Sequence, residues 1–405
     1  MRDNDLFQLA LGITSPWFVA ASVFDGAGKR LDIQLDFKAG SRFACPECKA
    51  EGCPVHDTRE RTWRHLDFFQ HQAFLTARVP RVSCSACNKT SQVHVPQEAI
   101  GARPGSGFTL LFEAFAMTLI MHMPVLAVAR LLGETDKRLW RMVFHYVGAA
   151  VACADHSAVV RVCIDETAAK RGHNYITLVA DMDRRRVVFV TGGRGADTVR
   201  QFADHLEDHG GDASRVKQVC IDMSAAYISG VGENLTEAEI TFDRFHVMKL
   251  IGDAVDEVRR TEVKTRPELK GTRYVWTKNA ANLTANQSST LDALASTNLK
   301  TARAWRMRLA FQEIYAQRSH GWGEAFFWRW IGWAKRSRLE PMKAVARTME
   351  KHSAGILAWF DGHISNGLIE GINSLVQAAK AKARGYRTLR NLKAIVSSRS
   401  WSRAS

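Results

Sequence analysis

Apolar and polar positions alternate in two runs between residues 13 and 38, on either side of Asp25-Gly26-Ala27-Gly28, and this pattern predicts a β-hairpin. Residues 101 to 107, Gly-Ala-Arg-Pro-Gly-Ser-Gly, form a linker. The apolar period then becomes helical from Phe108 to Val147, with breaks near Met123-Pro124 and at Gly133-Glu134-Thr135. From 159 to 222 the pattern is βββαβ: strands at 159–165, 174–181 and 186–191, a helix at about 196–209, and a strand at 216–222. The turn Asp181-Met182-Asp183-Arg184 makes a hairpin of the second and third strands. Another short strand, 239–242, runs into Asp243-Arg244-Phe245-His246. Residues 250–350 read as mostly helical and carry six of the eleven tryptophans, which suggests a helical subdomain of their own. A last helix at about 366–383 has Leu368, Ile369, Ile372, Leu375, Val376 and Ala379 as its buried stripe.

At 405 residues, two to four domains are expected. Lys and Arg outnumber Asp and Glu by 56 to 41, a formal charge of +15, which favours a polyanionic partner, nucleic acid first among them. The excess is sharpest beyond Glu370: Lys380, Lys382, Arg384, Arg387, Arg390, Lys393, Arg399 and Arg403 occur there without an acidic residue. The most apolar stretch, Phe108 to Gly133, is interrupted by Glu113, His122, Pro124 and Arg130, which argues against a membrane span. No cleavable leader is expected, because Arg2, Asp3 and Asp5 open the chain. An intracellular, cytoplasmic protein follows, in which eight cysteines serve as ligands or core residues rather than disulfides.

Two cysteine pairs, Cys45-Pro-Glu-Cys48 and Cys84-Ser-Ala-Cys87, stand 35 residues apart and supply the four soft ligands of a structural Zn²⁺ site, with Cys53, His56 and His65 as nearby competitors. Leu126–Glu134 and about Asp136–Tyr146 have helix-turn-helix proportions. In the second of these helices Leu139, Val143 and Val147 share one face and Arg138, Arg141 and His145 another, so Arg138 and Arg141 are candidate DNA contacts, although a solvated basic face has the same pattern. The tetrapeptide Val-Cys-Ile-Asp occurs at 162–165 and again at 219–222, each time closing a β-branched run. Two strands that end in carboxylates deliver Asp165 and Asp222 to one edge, where hard oxygen ligands suit Mg²⁺. A third carboxylate is expected from a helix packed on that edge. Glu370, at the start of the last helix, is the best candidate, with Asn373 three residues on facing the same way; Glu166 and Asp181 compete as ligands.

The chain resembles bacterial insertion-sequence transposases of the DDE type, specifically the ISL-three family. The likeness rests on the knuckle pair enclosing Arg61-Thr-Trp-Arg-His-Leu-Asp67, the helix-turn-helix, Ile164-Asp-Glu166 followed by Lys170-Arg-Gly-His-Asn-Tyr175, Asp243-Arg-Phe-His246, and Glu370-Gly-Ile-Asn373 through Lys382-Ala-Arg-Gly-Tyr-Arg387. Lys49, where the family often has glycine, and Thr167, where a bulkier residue is common, depart from the pattern.

The resemblance implies an α/β protein whose ribonuclease-H-like core holds Asp165, Asp222 and Glu370 as the triad for two Mg²⁺ ions, or Mn²⁺ in their place. His246 and Asn373 would support the triad, and Lys380, Lys382, Arg384 and Arg387 would grip DNA. The expected divisions are a zinc module at 1–100, a helix-turn-helix at 101–155, the first part of the core at 156–250, a helical insertion at 251–350, and the final helix and basic tail at 351–405. The implied partners are the element's terminal inverted repeats and target DNA, bound by a homodimer or larger synapse at the bacterial nucleoid. Two other readings fit the same residues: a DNA-binding regulator derived from such an enzyme, and a structure-selective nuclease.

Overall fold

The computed structural model describes residues 3–95 and 101–401, with side chains as far as 398. Arg399 and Arg403 of the basic tail therefore lie outside the described side chains. The chain divides into two compact units, 1–146 and 147–405.

The first unit opens with α1 (Asp3–Ala10) and the expected hairpin, β1 (Trp17–Asp25) and β2 (Arg30–Phe37). Four further strands, β3 (Arg42–Phe43), β4 (Cys53–Arg64), β5 (Gln72–Cys84) and β6 (Lys89–Gln92), complete a six-stranded sheet in the order β1-β2-β5-β4-β3, with β6 on β5. Its apolar face packs Trp17, Leu31, Ile33, Leu75 and Val79 into one core. Three helices follow: α2 (Leu110–His122), α3 (Val125–Leu132) and α4 (Asp136–Ala152). Gly133 ends α3 at φ +65°, a left-handed cap that glycine adopts without steric cost, and this opens the turn into α4. Within 101–146 the helices are joined to the sheet by Arg64, which is 1% exposed and lies between the rings of Phe74 and Phe112. Its guanidinium donates to the Ala73 carbonyl and pairs with Asp67, and the backbones of Arg64, Gly107 and Thr109 exchange hydrogen bonds. The Arg61–Asp67 motif thus fastens sheet to helices.

The second unit is built on a five-stranded sheet in the order β11-β10-β7-β8-β9. Strands β7 (Arg161–Lys170), β8 (Asn174–Asp181) and β9 (Arg186–Gly192) form an antiparallel meander, and β10 (Gln218–Ile221) and β11 (Glu239–Phe242) extend it in parallel. Between them run α5 (Ala196–Asp208) and α6 (Ala225–Asn234). The helical stretch comprises α7 (Arg244–Glu262), α8 (Arg273–Thr277), α9 (Ala285–Ala295), α10 (Lys300–Gln312), α11 (His320–Lys335), α12 (Glu340–Lys351), α13 (Ser353–Leu357) and α14 (Trp359–Gly362). It does not keep a core of its own: Trp276, Phe311, Phe327 and Trp330 belong to the same apolar cluster as Val162, Ile164, Val219 and Ile221 on one face of the sheet. The opposite face is covered by α15 (Gly367–Lys382) and α16 (Leu389–Trp401), through Ile369, Val376, Leu392 and Val396 packed on Cys163 and Cys220. Leu375 departs from the expected stripe and is 40% exposed.

Candidate active site

The two Val-Cys-Ile-Asp segments are side by side. In the parallel β7–β10 pair, Val162 is opposite Val219 and Cys163 opposite Cys220, so the register carried two residues further sets Asp165 beside Asp222. Strand β11 repeats the arrangement: Ile221 is opposite Phe242, and the Asp243 N–H donates to the Ile221 carbonyl, which sets Asp243 beside Asp222. Neighbouring strands are about 4.8 Å apart, and residues of the same parity point to the same face. Cys163 and Cys220 face α15, so Asp165 and Asp222 do as well. Asp165 is not at a strand end as expected; β7 continues to Lys170, and the aspartate comes into the open because β10 stops at Ile221.

The start of α15 completes this edge. Asn373 Nδ2 donates to Asp165 Oδ2 at 2.8 Å, and the Glu166 N–H donates to Asp165 Oδ1 at 2.9 Å. Burial, reinforced by the negative charges of Glu166 and Asp222, pushes the Asp165 carboxyl up to about 6. His246, in the first turn of α7, shares a hydrogen bond of 3.1 Å with Asp243 Oδ2; that bond, with the charges of Asp243, Asp165 and Asp222, raises its pKa against the effect of burial. Asp243 is buried, caps α7 by accepting from the His246 N–H, and accepts from the Asn366 N–H at the head of α15. Glu370 is exposed, and its carboxyl is raised by partial burial and by the charge of Asp243.

Asp165, Asp222 and Glu370 are therefore not a closed cage. Among the described residues, the one group of three or more His, Cys, Asp or Glu ligand atoms all within 4.8 Å of one another is made of cysteines. The row of carboxylates nevertheless fits hard divalent cations: burial, and then neighbouring negative charge, raises the Asp165 and Glu370 carboxyls, and among the described residues the buried Asn373 Oδ1 has no partner. The competing ligands point elsewhere. Glu166 has the opposite parity on β7 and is held by Tyr227, whereas Asp181 is opposite Val162, away from Asp165, and caps the hairpin turn by accepting from the N–H groups of Asp183 and Arg184. The sequence reading missed Asp243 as a member of the row, although its signal, an apolar strand closed by a carboxylate, is the one that singled out the other two.

The cysteine group is Cys45, Cys48, Cys84 and Cys87. One knuckle precedes β4 and the other begins at Cys84, the last residue of β5, and the antiparallel pairing of those strands, Val55 opposite Val82, brings both to the same sheet end. The Cys45–Cys87 and Cys48–Cys84 Sγ distances are 3.8 and 3.5 Å. Tetrahedral Zn²⁺ with Zn–S bonds of about 2.3 Å requires sulfurs about 3.8 Å apart, so the set fits zinc. Cys53 donates to the Ala50 carbonyl, His65 is bonded to Thr109, and His56 lies beside Asp57, so none of them is needed. Lys49 stands at φ +63°, the left-handed region that suits glycine and that Asn88 occupies in the second knuckle.

The basic candidates separate into two kinds. Arg138 is committed internally: it donates to Glu134 at 2.6 Å and to the Gly107 carbonyl at 3.1 Å, and lies over Phe108. Arg141 is exposed on the same helix. Lys380 is likewise committed, bonded to the Ala168 carbonyl and to Gln377, while Lys382, Arg384 and Arg387 are exposed.

Residues 162–396, more than half of the chain, match the transposase family ISL3. The chain belongs to that family. In this ISL3 transposase, residues 41–87 match the zinc-finger of transposase IS204/IS1001/IS1096/IS1165, and residues 100–147 match the helix-turn-helix domain of transposase family ISL3. The transposase for insertion sequence element IS1001 of Bordetella parapertussis is 29% identical, over 89% of each chain. The transposase for element IS1557 of Mycobacterium tuberculosis is 28% identical, over 96% of this chain and 93% of its own. The zinc ribbon and helix-turn-helix mark this transposase as a DNA-binding protein. No helix among the described residues is long and apolar enough to cross a membrane.

Proposed function

We propose that the carboxylate row cleaves the ends of an insertion sequence and joins them to target DNA, with Asp165, Asp222 and Glu370 as ligands for two divalent cations, Mg²⁺ or Mn²⁺. The observation that carries this is the β7–β10 register, which sets Asp165 beside Asp222 on the face turned to α15. An antiparallel three-strand meander extended by two parallel strands supports a ribonuclease-H-like core. Bound cations supply Lewis acidity to the attacking and leaving oxygens.

The protein's own groups prepare the site. Asn373 fixes the Asp165 carboxylate, and Asp243 orients His246 while anchoring the head of α15 that bears Glu370. The hydrogen bond with Asp243 and the neighbouring carboxylates raise the proton affinity of His246, which favours a positive charge beside the acidic row. A water oxygen attacks phosphorus at the element's end, the P–O3′ bond breaks, and the departing oxygen takes a proton to become a free 3′-hydroxyl. That hydroxyl then attacks a target phosphorus in line, forming a new phosphodiester and releasing a target 3′-hydroxyl, with no covalent protein intermediate. Unit 1 binds the terminal inverted repeats, Arg141, Lys382, Arg384 and Arg387 contact phosphates, and two copies pair two ends.

Asp165→Asn tests the enzyme reading. The variant should lose metal-dependent cleavage of DNA carrying the element's end while retaining repeat binding. Absence of end cleavage by wild type would leave a DNA-binding regulator, equal cleavage by variant and wild type would remove the chemistry from Asp165, and wild-type cleavage of branched DNA regardless of end sequence would leave a structure-selective nuclease.

A further inference from the structure

Beside Glu370 and Asp243 lies a cleft of about 710 Å³, walled by α7, by the α8 region and by the end of α10. Ligand pockets of small molecules span about 300–1,000 Å³. Arg308 of α10 lines it and is 5% exposed, yet among the described residues its one hydrogen bond runs from Nη2 to Asn279 Oδ1, at 3.1 Å. Nε and Nη1 are buried without partners, and none of the ion pairs within 4.0 Å among the described residues includes Arg308. A guanidinium stays protonated in proteins, so such a charge must either meet an anion or bear a large desolvation cost. The hydroxyl of Tyr315, also lining the cleft, is buried and unpartnered too. At the rim Phe245 presents a ring that is 57% exposed, next to Arg244 and the catalytic edge.

We infer that this cleft receives one unpaired nucleotide of the DNA strand running through the active site, its phosphate on Arg308 and Tyr315 and its base against Phe245. The inference rests on the carboxylate row being a DNA-cleaving site. A planar guanidinium with two free N–H groups matches a phosphate bidentately, and an aromatic face accepts any base by stacking. The adjoining Glu370 gives the cleft access to the nucleotide next to the scissile phosphate.

The test uses the full chain in EDTA, so that it does not depend on cleavage. Deoxyadenosine monophosphate should bind saturably, at least tenfold more tightly than deoxyadenosine, and Arg308→Gln should weaken it at least tenfold. Phe245→Ala, an exposed position that the fold does not need, should weaken the nucleotide but leave inorganic phosphate unaffected. End DNA carrying 2-aminopurine beside the cleavage point should brighten on binding to wild type and not to Arg308→Gln. Absence of saturable nucleotide binding by wild type, or equal binding by wild type and Arg308→Gln with matching melting temperatures, overturns the pocket. Absence of end cleavage by wild type, in contrast, overturns the enzyme reading and leaves the nucleotide result standing.

Discussion

Asn373 shows how one side chain reports on the chemistry of another. Its amide nitrogen holds Asp165 Oδ2 while its own oxygen is buried and unmatched, a half-satisfied group that a cation or its water would complete. Outer partners of metal ligands typically affect activity by about 10–100-fold. Asn373→Ala is therefore expected to slow end cleavage by about that factor, and quantitative band-shift assays should show repeat binding unchanged. Asp243 makes the complementary point. The rule that singled out Asp165 and Asp222 from an apolar strand closed by a carboxylate applies equally to Ile240-Thr-Phe-Asp243, but the strand is short and its motif reads as a helix start, which it also is. Arg308 was not legible at all, because a basic residue on a predicted helix gives no sign of being enclosed. At the first knuckle, Lys49 is a visible departure from the family pattern whose consequence, a left-handed backbone without glycine, emerges only in the folded chain.

At the scale of elements, the last helix and the meander carry the two clearest lessons. The α15 stripe was legible from its period, but the roles of its lysines were not: Lys380 and Gln377 hold the helix to β7 at Ala168. Lys380→Ala should thus cost about 1 kcal/mol of stability in chemical denaturation. Arg387→Ala should instead leave stability intact and reduce the slope of log binding constant against log salt by about 0.9. Strand β7 runs five residues past its expected end because Glu166, Ala168, Ala169 and Lys170 have weak strand preference, and the segment is held by cross-strand pairing with β8.

A cluster at the far side of the meander sets an acid limit. His156, His205 and His209 have ring centroids 4.0–5.4 Å apart, and both nitrogens of buried His156 lack partners. Burial, then the charge of His209, pushes His205 down to about 4, while burial, then Arg186, lowers His156. The unfolded chain binds more protons than the folded chain between about 4 and 6.5, so stability is full above that window and falls as pH drops through it. Melting temperature should decline below pH 6.5, and His205→Gln should flatten the decline.

The whole molecule is two units with different sources of stability. The second has a continuous core running from the sheet into the helical stretch, and the periodicity of 250–350 could not reveal that continuity because a buried stripe does not name its partner. In the first, the sheet end at the knuckles has only a small apolar group around Cys45, Cys53, Val82 and Cys84, so metal ligation must do much of the holding. Stripping zinc with a chelator, or Cys84→Ser, should therefore destabilise residues 1–146 and abolish repeat binding. Residues 147–405 should keep their own cooperative transition, which limited proteolysis with calorimetry would resolve.

The in-register repeat also bears on how such an element ages. The aligned Val-Cys-Ile-Asp segments set two like charges on neighbouring strands, a repulsion that the proposed chemistry would require the fold to carry. On the proposed reading, Asp165→Asn relieves part of that crowding as it removes cutting. On that reading inactivation need not cost folding stability, and a disabled copy would inherit an intact DNA-binding unit with which to occupy the ends that a working copy needs.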